Sequence, residues 1–290
     1  MAEGNNLPAA VLSGGMCCKT TVTDFKAVYE MVKQRFVTGK DGLDMLSKQN
    51  IIEGLKNIGI QTGMELEVHS SLSSFGRVDG GAEAVISALK ECCGTEGSIF
   101  MPSLRLSLPK ELTQEDKQLG IVTKIEILPE NYERSAMGII ADTFRKQSDT
   151  QTGTGVFRIS GWGYNADRAV IGGLDYIIHN GGKALLLGVD IYKLTAMHYV
   201  ESNLPKEISD IFAPSDEINK IYPPDKWIIE TGEPPVKAWH TIQRIAYEKG
   251  LIRDGLIGNC KVMFFDIWNV VELYENELKR NPYKLYGIER

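Results

Sequence analysis

Four histidines, His69, His179, His198 and His240, are the side chains of this 290-residue chain whose ordinary titration falls near neutral pH. One of them stands in a pattern. Thr195, His198 and Glu201 follow at intervals of three, which sets successive pairs side by side on one flank of a helix. A carboxylate beside an imidazole orients the ring and favours its charged form, so His198 with Glu201 suits a general base. The same spacing fits a helix N-cap followed by a solvated or core histidine, and spacing alone does not choose. His69 sits inside a short strand, where packing and a hydrogen bond account for it, and His179 and His240 have no supportive neighbours in sequence.

A second chemical feature lies between Glu67 and Leu89. The strand Leu66 to His69 gives way to Ser70-Ser71-Leu72-Ser73-Ser74-Phe75-Gly76, and an amphipathic helix follows Gly80-Gly81. Such a turn offers hydroxyls and backbone N–H groups, and the helix behind it presents its positive end, a combination suited to an anion or pyrophosphate. A strand-to-helix turn without any ligand has the same composition.

The elements that would position these groups alternate between helix and short apolar strand. Ser47 precedes a helix with Ile51, Ile52 and Leu55 on one side and Gly59 near its end; Gly97 leads into the strand Ser98 to Met101, stopped by Pro102. Met137 to Phe144 is helical in spacing, and Thr150 to Gly155 reads as a loop. Lys183 to Val189, apolar between glycines, reads as a strand buried on both faces. His198 lies just beyond it, where open α/β sheets place their ligands. A last strand, Lys261 to Phe265, and a helix, Trp268 to Leu278, close the chain. Residues 103–132 read as a surface excursion, and the proline-rich stretch 203–238 as a long connection or small lobe. Asp24 to Phe36 has helical spacing behind an uneven polar start. The expectation is an α/β protein with a partly parallel sheet.

Composition removes several classes. Hydrophobic residues make up 43% of the chain, enough for a full core. Mean hydropathy is −0.16, and the lack of an 18-residue apolar run argues against a transmembrane helix. No secretory signal is visible at Met1 to Asn6. Cys17, Cys18, Cys92, Cys93 and Cys260 match no zinc spacing, and adjacent pairs are poor disulfide partners, so reduced buried thiols in a cytoplasmic protein are expected. A net charge of −6 argues against nucleic acid and mildly suits a cationic small substrate. No metal site is expected.

The segment Leu66 to Gly81 resembles the hallmark of the aminoglycoside 3-N-acetyltransferase (antibiotic N-acetyltransferase) family. Three further pieces agree in order. Ile99-Phe100-Met101-Pro102-Ser103 is similar to its strand ending in methionine, proline and a hydroxyl residue. Leu185 to Val189 followed by Thr195 to Glu201 is similar to its second signature, and Gly258 to Met263 to its closing strand. The similarity runs from about Ser47 to about Leu278. The resemblance implies a three-layer α/β/α fold with a central mixed, partly parallel sheet and an embellishing insertion near 203–238, in one domain over 47–290, with 1–46 outside it.

It also implies acetyl-CoA-dependent transfer to an amine, with a small-molecule acceptor and CoA as partners, no membrane and oligomeric state left open. His69, Ser70, Ser71, Leu72, Ser73, Ser74, Phe75 and Ser103 fall where the family holds the CoA arm. His198 matches its amine-deprotonating histidine, supported by Glu201, and Asp190, Tyr192 and Thr195 fall on the acceptor side. The chain departs from the family at Gln151 to Gly155, where an arginine, serine and histidine are usual. Tyr192 and Leu194 replace an aspartate and an asparagine, and no clustered acids surround Trp239 to Arg244. Three readings follow: an aminoglycoside acetyltransferase, an acetyltransferase for another amine metabolite, and a non-catalytic CoA-binding descendant.

Overall fold

A computed structural model describes residues 45–232 and 236–288. The chain begins with α1 (Lys48–Ile58), β1 (Glu65–Ser70), a 3-10 turn (Leu72–Phe75), α2 (Gly81–Cys93) and β2 (Ser98–Pro102). There follow α3 (Gln114–Gln118), β3 (Ile121–Glu126), α4 (Gly138–Phe144), β4 (Gln151–Thr152), β5 (Ile159–Gly163), α5 (Ala166–His179) and β6 (Lys183–Leu187). Two 3-10 turns (Ile191–Lys193 and Thr195–Met197) lead into α6 (His198–Glu201), then α7 (Lys206–Phe212), α8 (Asp216–Ile221) and β7 (Trp227–Thr231). The chain closes through α9 (Val236–Glu248), β8 (Arg253–Ile257), β9 (Cys260–Asp266), α10 (Ile267–Arg280) and α11 (Pro282–Tyr286).

Local chemistry sets the ends of these elements. Ser47 caps α1 through a reciprocal box with Asn50, and Gly59 ends it in the left-handed conformation that glycine adopts without a Cβ penalty. Thr113 and Asp116 form the same box at the start of α3.

Seven strands form one sheet in the order β4-β5-β2-β1-β6-β9-β8. β1 runs parallel to both β2 and β6, while the flanking pairs are antiparallel, so the sheet is mixed with a parallel centre. Alternation along the central strands divides the core. Ile99, Met101, Leu185 and Leu187 face α1, α2 and α4, whereas Phe100, Ala184 and Leu186 face α5, α9 and α10. Apolar groups on both faces explain why β6 reads as a continuous hydrophobic run. The fold is therefore the layered α/β arrangement expected from the sequence.

Three expectations are corrected. Pro102 does not stop its strand but forms the last pair of β2, opposite Ile159. Residues 103–132 are not a surface excursion: Leu104, Leu106, Ile121, Ile125 and Tyr132 are buried. Their strand β3 pairs antiparallel with β7, which lies in the proline-rich stretch, so two irregular-looking segments make a second, two-stranded sheet. Thr150 to Gly155 is not loop throughout, since Gln151 and Thr152 add the edge strand β4. Helices α5 and α9 and strand β8 were not expected from the sequence. The helical spacing at 24–36, Cys17, Cys18, Pro234 and Pro235 lie outside the described residues.

The second sheet is pinned by a buried ion pair. The Lys124 ammonium donates to Asp116, whose other carboxylate oxygen accepts the Tyr222 hydroxyl at 2.5 Å. Burial alone would raise the Asp116 carboxyl, but hydrogen bonds from Lys124, Tyr222 and the Thr113 amide outweigh it and hold the group at about 2.

Candidate active site

Parallel strands deliver their carboxyl ends to one edge of the sheet, and β2, β1 and β6 do so here. The chain leaves β1 into the serine-rich turn, β2 into Ser103 and Leu104, and β6 into the segment carrying His198. A cleft of about 680 Å³ opens between them. Ser70, Ser71, Leu72, Ser73 and Gly76 line one side; Leu104, Leu106, Ile125, Met137 and Ile139 form an apolar wall; His69, Tyr192, Lys193, Thr195 and His198 complete it.

His198 begins α6 and donates from Nδ1 to Glu201 Oε2 at 2.8 Å. That bond leaves Nε2 as the ring nitrogen for a ligand, the tautomer a general base needs. Glu201 is only 1% exposed. Its Oε1 accepts the Trp239 indole N–H at 2.5 Å and the Tyr274 hydroxyl at 3.4 Å. Tyr274 in turn shares a hydrogen bond with Tyr286. The Trp239 ring stands edge-on to the His198 ring, centroids 4.9 Å apart. Burial pushes the Glu201 carboxyl up, and the bonds from His198, Trp239 and Tyr274 pull against that. Burial likewise drives the Tyr274 and Tyr286 hydroxyls well above the usual phenol range, which keeps both as donors.

His69 is more than a packed strand residue. Its Nε2 lies 2.8 Å from Glu67 Oε1 and 3.2 Å from the Thr195 backbone nitrogen, and this single ring nitrogen either donates to the carboxylate or accepts the amide N–H. The contact with Thr195 sets β1 against the start of the segment carrying His198. Two histidines, each backed by a glutamate, thus line one cleft.

The structure sorts the other expected site residues. Ser71 and Ser73 hydroxyls are 3.1 Å apart, and both residues line the cleft with Ser70 and Leu72. No side chain caps the start of this turn, so its first amides are left to solvent or to a ligand carbonyl or phosphate oxygen. The Ser74 hydroxyl points inward, donating to the Ser71 carbonyl at 2.6 Å with Cys260 Sγ 3.2 Å away. Phe75 is buried in the core. Ser103 is buried too, its hydroxyl 2.6 Å from that of Ser160, and it does not line the cleft. Thr195 and Tyr192 reach the cleft; Asp190 does not, and stands 4.0 Å from the Lys261 ammonium.

His179 and His240 have neighbours the sequence did not show. His179 donates from Nδ1 to the Asp175 carbonyl at 2.9 Å and packs between Tyr199 and Trp268. The His240 ring packs 5.8 Å from Tyr192, and burial pushes its titration down against the pull of Asp190. Trp239, Tyr274, Tyr286 and Lys193 are the residues sequence reasoning missed. Trp239 and Tyr274 stand 38 and 73 positions from Glu201, and no local spacing signals either. Among the described residues no cluster of potential ligands for a metal ion occurs.

A mixed α/β sheet with a histidine–glutamate pair and a serine-rich turn at the cleft on its carboxyl edge defines the class as a layered α/β protein. Comparison with known proteins makes this specific. The family model described as aminoglycoside 3-N-acetyltransferase matches residues 68–279, and the chain belongs to that family. Aminoglycoside N(3)-acetyltransferase III from Salmonella sp is 26% identical over 274 residues, covering 78% of this chain and 89% of the relative. The SPbeta prophage-derived aminoglycoside N(3')-acetyltransferase-like protein YokD of Bacillus subtilis (strain 168) is 55% identical over 67 residues, covering 22% of this chain and 25% of that protein. The crystal structure of YokD superimposes with a TM-score of 0.63 at 24% identity, covering 83% of this chain and 96% of YokD. A binary complex of AAC-IIIb with CoASH gives 0.60 at 17% identity, covering 82% and 97%. These structures share the fold.

Proposed function

We propose that this protein transfers the acetyl group of acetyl-CoA to an amine nitrogen, nominally the 3-amino group of an aminoglycoside. The observation that carries the proposal is that the His198–Glu201 pair opens onto the same cleft as the uncapped serine-rich turn. Relatives named aminoglycoside N(3)-acetyltransferase and a structural neighbour holding CoASH support the donor and the acceptor class.

Acetyl-CoA supplies an acetyl thioester. Ser70, Ser71, Leu72 and Ser73 would hold its arm by hydroxyls and amides along the turn, beside His69. An amine at the cleft loses its proton to His198 Nε2 as nitrogen attacks the carbonyl carbon; Glu201 steadies the resulting imidazolium. Amides of the turn stabilise the oxyanion that develops. The C–N bond forms, the C–S bond breaks, and the thiolate takes the proton back from the His198 imidazolium to leave as free thiol, which returns the base to its neutral form. Tyr192 and Thr195 stand on the acceptor side. The inward side chains of Ser74, Phe75 and Ser103 support the turn and strand end rather than contact the arm. We read 47–290 as one catalytic domain, with the β3–β7 sheet as its embellishment, acting in the cytoplasm.

One observation favours a second acceptor class. The described cleft lining carries Lys193 and no carboxylate, and the wall opposite is apolar. A polycationic sugar gains from carboxylates through charge-assisted hydrogen bonds, whereas an amine with an apolar or anionic body does not need them. Free-thiol release from acetyl-CoA against aminoglycosides and simple amines, with the product identified by mass, tests the proposal. Turnover with an aminoglycoside supports the first acceptor class. Turnover only with apolar or anionic amines supports the second. Absence of turnover with every amine contradicts both.

A further inference from the structure

Glu201 has two oxygens, and the chemistry proposed for the cleft uses only one of them. Oε2 serves His198. Oε1 is turned away from the cleft and meets Trp239 from α9 and Tyr274 from α10, with Tyr286 of α11 behind Tyr274. Trp239 makes two contacts at once, since its N–H holds Glu201 and its ring edge abuts His198. A buried carboxylate is costly unless each lone pair has a donor, and these aromatic residues supply donors where water cannot reach.

We propose that Trp239 and Tyr274, with Tyr286 behind them, are positioning residues for proton transfer at His198. They act by holding the Glu201 carboxylate in the one orientation that meets Nδ1. This rests on the reading of His198 as the base. It also gives the carboxyl-terminal helices a part in the chemistry: α11 adds nothing to the cleft lining, yet its Tyr286 completes the hydrogen-bond chain that ends at His198.

The sign of the pH effect follows from which form the donors favour. Indole and phenol donors stabilise the carboxylate, so they lower the affinity of the His198–Glu201 pair for its proton. Removing a donor raises that affinity, and the acid limb of kcat/KM moves to higher pH. Other titratable groups around the cleft are His69 (backed by Glu67), Lys193, Tyr192 and His240, whose ring packs on Tyr192. None of the three aromatic substitutions below replaces any of them, so the shift reads the Glu201 side.

The experiment compares Trp239→Phe, Tyr274→Phe and Tyr286→Phe with His198→Ala, measuring thiol release from acetyl-CoA between pH 5 and 9 on the full chain. Tyr→Phe removes one hydroxyl and no packing volume, which keeps the test clean if Trp239→Phe folds poorly. The expected result is a kcat lower by roughly 10- to 100-fold for Trp239→Phe, the range of a hydrogen bond to a charged group. The acid limb moves up by roughly one pH unit, and the KM for acetyl-CoA stays within about twofold. Smaller changes in the same direction are expected for Tyr274→Phe, then Tyr286→Phe. If His198→Ala loses activity while the three variants keep the wild-type acid limb, the positioning role is overturned, whether or not kcat has fallen. If His198→Ala keeps the wild-type rate, the reading of His198 fails first and takes this inference with it.

Discussion

Gly188 gives the sharpest structural prediction, because it leaves the strand that leads to His198 and packs against the serine-rich turn. It follows β6 directly, has φ of 71°, and its amide donates to the Lys261 carbonyl at 2.7 Å. A methyl group here would fall 1.7 Å from Ser74 Oγ and 2.2 Å from Ser74 Cβ. Two costs follow for Gly188→Ala. An L-residue in the left-handed region costs about 1 kcal/mol, and forcing an extra methyl into packed surroundings about 1–3 kcal/mol. Their sum, about 2–4 kcal/mol, lowers Tm by roughly 5–15 °C in a domain of this size. The displaced Ser74 also gives up its bond to the Ser71 carbonyl, so the turn shifts where it lines the cleft. Acetyl-CoA affinity should fall about 10-fold or more, the worth of roughly one hydrogen bond. Thermal unfolding and calorimetric titration of acetyl-CoA measure the two effects. Ser74→Gly in the Gly188→Ala background removes the obstructing atoms and should restore the packing part of the Tm loss, while the affinity loss tied to the Ser74 hydroxyl persists. Unchanged Tm and affinity in Gly188→Ala would refute the packing argument.

Three further outcomes follow from other parts of the molecule. Lys124→Met leaves the buried Asp116 carboxylate without its cation and should cost about 3–5 kcal/mol in a denaturant titration. Because the folded Asp116 carboxyl titrates at about 2, below its unfolded value, its stabilisation is present above pH 4 and lost as pH falls towards 2. That stretch of the acid-unfolding curve should flatten in the variant. Burial pushes the Cys93 and Cys260 thiols up to about 12 and about 11, so both should resist alkylation at pH 8 in the native protein and react on unfolding, as peptide mapping would show. Lys193→Glu adds a carboxylate to the cleft lining and should improve kcat/KM for polycationic amines relative to neutral ones in a competition assay.

What could be read from the sequence was local. His198 and Glu201 lie three positions apart on one helical turn, and the structure joins them at 2.8 Å. The serine-rich turn announces itself because strand, hydroxyls and glycines follow without interruption. The buried β6 shows as an apolar run because both its faces meet core. The remainder depends on distant contacts. Pairing of β3 with β7 joins stretches about a hundred residues apart, and charges and prolines in each disguised two buried strands. Trp239 and Tyr274 meet Glu201 only because α9 and α10 pack on the same face of the sheet. Side-chain direction was also illegible: Ser73 and Ser74 are adjacent serines, yet one lines the cleft and the other turns inward against Cys260.

The central claim is that His198, oriented by Glu201, removes a proton from an amine in a cleft that holds acetyl-CoA. The pH dependence of thiol release, measured for the wild type beside His198→Ala at saturating acetyl-CoA, tests it most directly. The account predicts a rate that rises through a single acid limb in the wild type. In His198→Ala it predicts a rate roughly 10²- to 10⁴-fold lower with that limb gone, while acetyl-CoA still binds. A variant that keeps both the limb and the rate would contradict it.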